Sequence, residues 1–225
     1  MLTPRLELIY QKIIGKKAAD IGTDHAYIPI ELIKSGRCEK VIASDIKKGP
    51  LEIAKKNIKA EGIHIDVRLG AGLSVLKAGE VEDIIIAGMG GKLICTIIEE
   101  NMMVAKSARL ILQPMNSQFE LRKFLIENGF SVVDEDIAVE GFKVYNVLVC
   151  TFGGKGIIYN EEIDYHVPSC LKGHKYYKNL LDKKIREFTK IIKGYEKAKQ
   201  PQDEEKLKLY KEYIQQLKKT DHIKA

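Results

Sequence analysis

From about residue 17 to residue 152, short β-branched apolar runs alternate with segments whose apolar residues recur every three or four positions. The runs fall at 17–22, 40–45, 65–69, 83–87, 109–113, 130–139 and 143–151. The first five are brief and nearly continuous, the pattern of strands covered by helices on both faces. Between them, 50–60 carries Leu51, Ala54 and Ile58 at helical spacing. The segment 117–128 opens with a capping box, Ser117 paired with Glu120, and closes before Gly129. This alternation predicts right-handed crossovers and an α/β fold with a mostly parallel, seven-stranded sheet. The last two runs are joined only by Glu140-Gly141-Phe142, too short for a parallel crossover, so they are expected to form an antiparallel hairpin. At the start, Leu2, Leu6, Ile9 and Ile13 predict one amphipathic helix over 1–15 packed on the α/β body.

Beyond residue 160 the pattern changes. Leu181, Ile185, Phe188, Ile192 and Tyr195 follow a heptad seam, and Leu207, Tyr210, Ile214 and Leu217 repeat it after Pro201. An antiparallel, coiled-coil-like helical hairpin is expected there, with Asp203, Glu204 and Glu205 in the first turn of its second helix. The expected organisation is a domain over 1–160 and a hairpin over 161–225.

Charge sharpens that division. The 225 residues hold 37 Lys and Arg against 31 Asp and Glu, a net charge of +6. Residues 161–225 alone hold 16 basic and 11 acidic residues, so +5 of that excess lies in the hairpin. Cysteines at 38, 95, 150 and 170 lack the spacing of a metal knuckle or a redox pair, and reduced thiols are expected. Met1-Leu2-Thr3-Pro4-Arg5-Leu6-Glu7 meets charge at once and lacks a signal-peptide core, and no apolar stretch approaches membrane-spanning length. A cytoplasmic protein is expected, without membrane or metal; the sequence leaves the oligomeric state open, with a monomer slightly favoured.

In open α/β sheets ligands bind beyond the carboxyl ends of the strands, where strand order reverses. After the first strand comes Asp20-Ile21-Gly22-Thr23-Asp24-His25-Ala26. It lacks G-x-G-x-x-G, and its two aspartates suit a positively charged ligand better than a pyrophosphate. Asp45 ends the second strand, followed by Ile46, where a carboxylate can accept both hydroxyls of a ribose. Gly70-Ala71-Gly72 makes a small-residue turn fit for a flat purine, and Gly88-Met89-Gly90-Gly91 demands close backbone approach or positive φ. Together they imply a nucleoside without phosphate and with a cationic, amino-acid-like tail, a description S-adenosylmethionine meets.

The run from Asp20 to Pro29, with Ala87-Gly88-Met89-Gly90-Gly91 and Leu110-Ile111-Leu112-Gln113-Pro114-Met115, resembles the motifs of the bacterial tRNA (adenine(22)-N1)-methyltransferases. The resemblance runs over nearly the whole chain and implies a Rossmann-like class I methyltransferase domain followed by a helical hairpin. It implies methyl transfer from S-adenosylmethionine to N1 of an adenine in the D-arm of tRNA. The chain departs from the pattern at Ala71, where such enzymes carry an acidic residue facing the cofactor's adenine amino group. One such hydrogen bond is worth about 1–3 kcal/mol unless water or backbone replaces it.

Adenine N1 has a free lone pair at neutral pH, so orientation and electrostatics suffice for catalysis. Asp24 is the candidate for stabilising the developing cation, against a role in holding the cofactor's amino group; His25 is expected to line the cofactor pocket. Because N1 lies on the Watson–Crick edge, the base must be exposed first. Gln113, Pro114 and Met115 are placed to receive it, Gln113 on the base edge and Met115 on the ring. Between Lys172 and Lys199 ten basic residues face three acidic ones, and His174, Tyr176 and Tyr177 lie beside them. Lys172, Lys175, Lys178, Lys183 and Lys184 are the candidate phosphate contacts, against a merely solvated helix face. Two alternatives stay open: a non-catalytic RNA-binding protein with a degenerate cofactor pocket, or a methyltransferase with a protein or small-molecule acceptor.

Overall fold

The computed structural model describes residues 2–198 and 204–222. The chain divides into two compact units, the first running to Ile158 and the second from Tyr159.

The first unit is built on a seven-stranded sheet of order β3-β2-β1-β4-β5-β7-β6. Its strands are β1 (Lys17–Ile21), β2 (Lys40–Asp45), β3 (Asp66–Leu69), β4 (Asp83–Met89), β5 (Arg109–Pro114), β6 (Phe130–Glu140) and β7 (Lys143–Phe152). The first five are parallel; β7 inserts antiparallel between β5 and β6, as the short 140–142 connection requires. Central strands read as unbroken apolar runs because both faces are covered: Ile84, Ile85 and Ile86 of β4 and Leu110, Ile111 and Leu112 of β5 are fully buried. The flanking helices are α1 (Pro4–Gln11), α2 (Tyr27–Lys34), α3 (Lys48–Ala60), α4 (Gly91–Glu100), α5 (Met102–Lys106) and α6 (Gln118–Glu127).

Three local expectations need correction. The capping box at Ser117 does not form: Ser117 adopts a left-handed φ of 52° and its side chain caps nothing. The helix expected to begin at residue 50 begins at Lys48, and Asp45 Oδ1 accepts from Lys47 N–H (2.8 Å) just ahead of it. The N-terminal helix ends at Gln11, so Ile13 is buried from the following segment.

That segment is fastened at several points. Glu140 Oε1 on β6 accepts from Arg5 N–H (2.8 Å) in the first turn of α1, which has no side-chain cap of its own. Lys12 meets Asp134 and Asp136 at 2.8 and 2.7 Å. Asp83 accepts from Ile14 and Gly15 N–H and pairs with Arg109 (2.9 Å). These contacts fix α1 across the sheet, over a chain separation of more than 100 residues for its Glu140 contact.

The second unit contains α7 (Glu162–His166), α8 (Tyr177–Ala198) and α9 (Glu204–His222). The long helices run antiparallel: Phe188 packs on Tyr210 and Tyr213 (5.2 and 5.6 Å between rings), and Glu196 pairs with Lys211 (3.2 Å). Leu181, Phe188 and Ile192 are buried, and Leu217 with Tyr213 buries the facing stripe, so Tyr213 joins a seam in which Ile214 is only half-buried. Glu204 and Glu205 lie in the first turn of α9; Pro201 and Asp203 fall outside the described residues. Among the described residues no helix is long and apolar enough to cross a membrane.

Candidate active site

The order β3-β2-β1-β4-β5 places the reversal of strand order between β1 and β4, and a cavity of about 410 Å³ opens at their carboxyl ends. Asp20, Gly22, Thr23, Asp24, His25, Ala26 and Tyr27 line one side, Ala87 and Gly88 another, and Thr3, Arg5 and Leu6 of the N-terminal segment close it. The turn leaving β1 is shaped by its neighbour: Gly22 and Thr23 N–H both donate to Ser44 O on β2 (2.8 Å each). Gly22 at φ +81° and Ala26 at φ +57° bring the backbone back into α2 within five residues.

Asp20 is 9% exposed, and burial pushes its carboxyl up to about 6; the Thr23 hydroxyl, hydrogen-bonding to it, and the positive charge of Arg5 oppose the rise, and the negative charge of Asp45 adds to it. A deeply placed carboxylate that is hard to ionise is a site waiting for a cation. The Thr23 hydroxyl is itself buried, and apart from this interaction with Asp20 no described residue partners it. A buried hydroxyl beside an under-compensated carboxylate in one cavity fits the polar, cationic tail of S-adenosylmethionine.

Asp24 is exposed at the rim, 3.3 Å from His25 Nε2. The His25 ring stacks on Tyr27 (5.1 Å, 14° between planes), and Tyr27 is 53% exposed.

The other expected cofactor residues do not line this cavity. Asp45 ends β2 beside it, close enough to act on Asp20, with one oxygen taken by Lys47 N–H. Ile46 projects outward and is exposed. Gly70 N–H donates to Asp45 O (3.1 Å), so the Gly70-Ala71-Gly72 turn lies on the next strand end. Gly72 is needed where it stands, because at φ +50° an added Cβ would press on Ile97 at 3.1 Å. Ala71 O receives Ser74 N–H and hydroxyl, closing the turn locally.

The glycines after β4 divide their work. β4 runs on through Met89, with Gly88 bulged out of register between Ala87 and Met89 at φ +76°. Of the candidates in this stretch only Gly88 lines the cavity; the Met89 methyl packs over Gly22. Gly90 faces Asn116, and a Cβ on Gly91 would meet Ser117 O at 2.4 Å. The triple glycine therefore serves strand-to-turn packing as well as the ligand.

The expected base-edge contact from Gln113 is not what the structure shows. Gln113 is 0% exposed: its Oε1 accepts from Arg5 Nη1 (2.8 Å) and Gly88 N–H (3.2 Å), and its Nε2 donates to Pro114 O (3.0 Å). A saturated buried amide positions its neighbours and cannot read a base. Pro114 is buried, pairing with Met89, and Met115 alone of the three is exposed.

Lys172, Lys175 and Lys178 are exposed; Lys183 is half-buried. Lys184 is a correction: it is 7% exposed with its ammonium on Glu187 (2.6 Å), because it falls on the seam side of α8 and not on the solvent side. Arg5, Thr23 and Tyr27 were not legible as site residues; Tyr27 belongs to the Asp20–Pro29 motif, but nothing local marks Arg5.

A family model described as a methyltransferase domain matches residues 2–148. A Bacillus subtilis (strain 168) protein named tRNA (adenine(22)-N(1))-methyltransferase is 39% identical over 164 residues, covering 71% of this chain and 68% of the relative. The crystal structure of the B. subtilis m1A22 tRNA methyltransferase superposes with a TM-score of 0.84 at 31% identity, covering 98% of each chain. That of Streptococcus pneumoniae Sp1610 in complex with S-adenosyl-L-methionine superposes at 0.81 and 33% identity, covering 99% of this chain and 100% of the other. The likeness extends beyond the methyltransferase domain through the helical hairpin, and the chain belongs to the tRNA (adenine(22)-N1)-methyltransferase family.

Proposed function

We infer that this protein transfers a methyl group from S-adenosylmethionine to N1 of adenine 22 in the D-arm of tRNA. The observation that carries this reading is the buried Asp20 in a cavity at the β1/β4 reversal, with Asp45 at the adjacent strand end, in a chain of this family. Bound there, the cofactor supplies a methyl group on a sulfonium, activated for displacement. Asp20 holds the ammonium of the tail, Thr23 offers its hydroxyl, and Asp45 receives the ribose hydroxyls with the oxygen not used by Lys47. Ala71 presents no acceptor to the adenine amino group, so the Gly70–Gly72 turn contributes shape alone.

The acceptor adenine needs no base to deprotonate it, because the N1 lone pair is free. What the protein must do is hold the extruded ring in line and accommodate the charge that arrives on it. Tyr27, stacked on His25 and half-exposed at the rim, is a flat face on which an unstacked base can rest. Met115 offers a second apolar contact. Asp24, exposed beside this aromatic pair, is the carboxylate positioned to stabilise the methylated, cationic base. Lys172, Lys175 and Lys178 supply phosphate contacts from the second unit, giving affinity without sequence selectivity.

The test is mass spectrometry of nucleosides from unmodified tRNA incubated with the protein and S-adenosylmethionine. Formation of 1-methyladenosine, lost when adenine 22 is replaced, is the expected result. A tRNA that stays unmethylated while the cofactor binds refutes the acceptor and favours a protein or small-molecule acceptor instead.

A further inference from the structure

We propose that Arg5, carried on the N-terminal helix, receives the carboxylate of the cofactor's amino-acid tail and so selects the intact zwitterion. The inference rests on the cofactor reading above and goes beyond it.

Arg5 is the one side chain of fixed positive charge among the described residues lining the cavity. Its guanidinium is aimed, not loose. Nη1 donates to Gln113 Oε1 (2.8 Å), its carbon lies 5.5 Å from the centre of the Tyr145 ring, and its backbone N–H is held by Glu140. Of its five N–H donors, one is used by Gln113; no other described residue accepts from the rest. Arg5 and Asp20 form no ion pair, yet Arg5 is near enough to oppose the rise in the Asp20 titration. A buried carboxylate and an unsatisfied guanidinium thus face one cavity without neutralising each other. An α-amino acid carries an ammonium and a carboxylate on one carbon, the complementary pair of charges. The wholly buried Gln113 then has a reason to be polar: it holds the fork in place, and the fork geometry suits a carboxylate.

The test compares two ligands by calorimetry at pH 8, where Asp20 is ionised: S-adenosylmethionine and its decarboxylated analogue, which keeps the amine. The wild-type protein is expected to bind the intact cofactor roughly 10- to 100-fold more tightly, the range of a charge-assisted hydrogen bond. Arg5→Ala should collapse that preference to within about threefold while binding the analogue as the wild type does. Arg5→Gln, which keeps a donor for Gln113 but loses the charge, should do the same and serves if the alanine variant fails to fold. A preference that survives both substitutions overturns the proposal. Equal loss of both ligands marks a merely structural arginine and overturns it too. Failure of the wild type to bind either ligand removes the cofactor reading itself, a result separable from the others.

Discussion

Replacing Asp20 with asparagine should stabilise the free protein and weaken its hold on the cofactor, opposite effects from one isosteric change. An ordinary aspartate titrates near about 4. Burial pushes the Asp20 carboxyl up to about 6, and moving a titration that far corresponds to about 3 kcal/mol. The unfolded chain loses this proton near pH 4 and the folded one near pH 6, so between those values the folded state holds more protons. Stability contributed by Asp20 is therefore highest at low pH, falls as pH rises between about 4 and 6, and is level above. Asparagine does not titrate. The variant should match the wild type near pH 4 and exceed it by about 2–3 kcal/mol at pH 7.5, allowing for altered contacts around the site. Urea unfolding followed by circular dichroism at pH 4.5, 5.5 and 7.5 measures the gap. Calorimetry at pH 7.5 should show cofactor affinity reduced by about tenfold or more, since the ammonium loses its counter-charge. An Asp20→Asn protein less stable than wild type at pH 7.5, or a gap that does not change with pH, would refute the reasoning.

Other consequences can be checked independently. Ala71→Asp restores an acceptor opposite the adenine amino group and should tighten cofactor binding by about 1–3 kcal/mol in the same calorimeter. The pair Arg122–Glu135 is fully buried, with Asn146 Nδ2 also donating to Glu135 (3.0 Å). Arg122→Met should destabilise the fold by about 3–5 kcal/mol in urea, and adding Glu135→Leu should restore much of that loss. Replacing Lys172, Lys175 and Lys178 together with alanine should raise the KM for tRNA by about tenfold and flatten its salt dependence. Cofactor affinity should stay unchanged; if it falls, those lysines do more than hold phosphate.

Local pattern determined much of this protein. Apolar runs bounded by amphipathic segments specify strands and helices through side-chain periodicity, and short connections dictate which strands pair antiparallel. Carboxylates just beyond apolar runs are legible because strand ends in such sheets are where ligands go, and Asp20 and Asp24 do line the cavity. The seam of α8 was legible for the same reason, except where a long amphipathic side chain, Lys184, is buried on it.

Tertiary structure decided the rest. Ser117 looks like a cap in sequence, but the close approach of Gly91 to the Asn116–Ser117 backbone accompanies a left-handed turn there. Gln113 looks like a substrate contact, but Arg5 arrives from 108 residues away and takes its oxygen. Arg5 itself lies on a helix whose apolar spacing announces only that it packs somewhere. Periodicity encodes which face of an element is buried; it carries no record of which distant side chain meets it. The partners of a polar group in a cavity are set when the sheet closes and α1 is pinned across it, a long-range step that no local window of sequence contains.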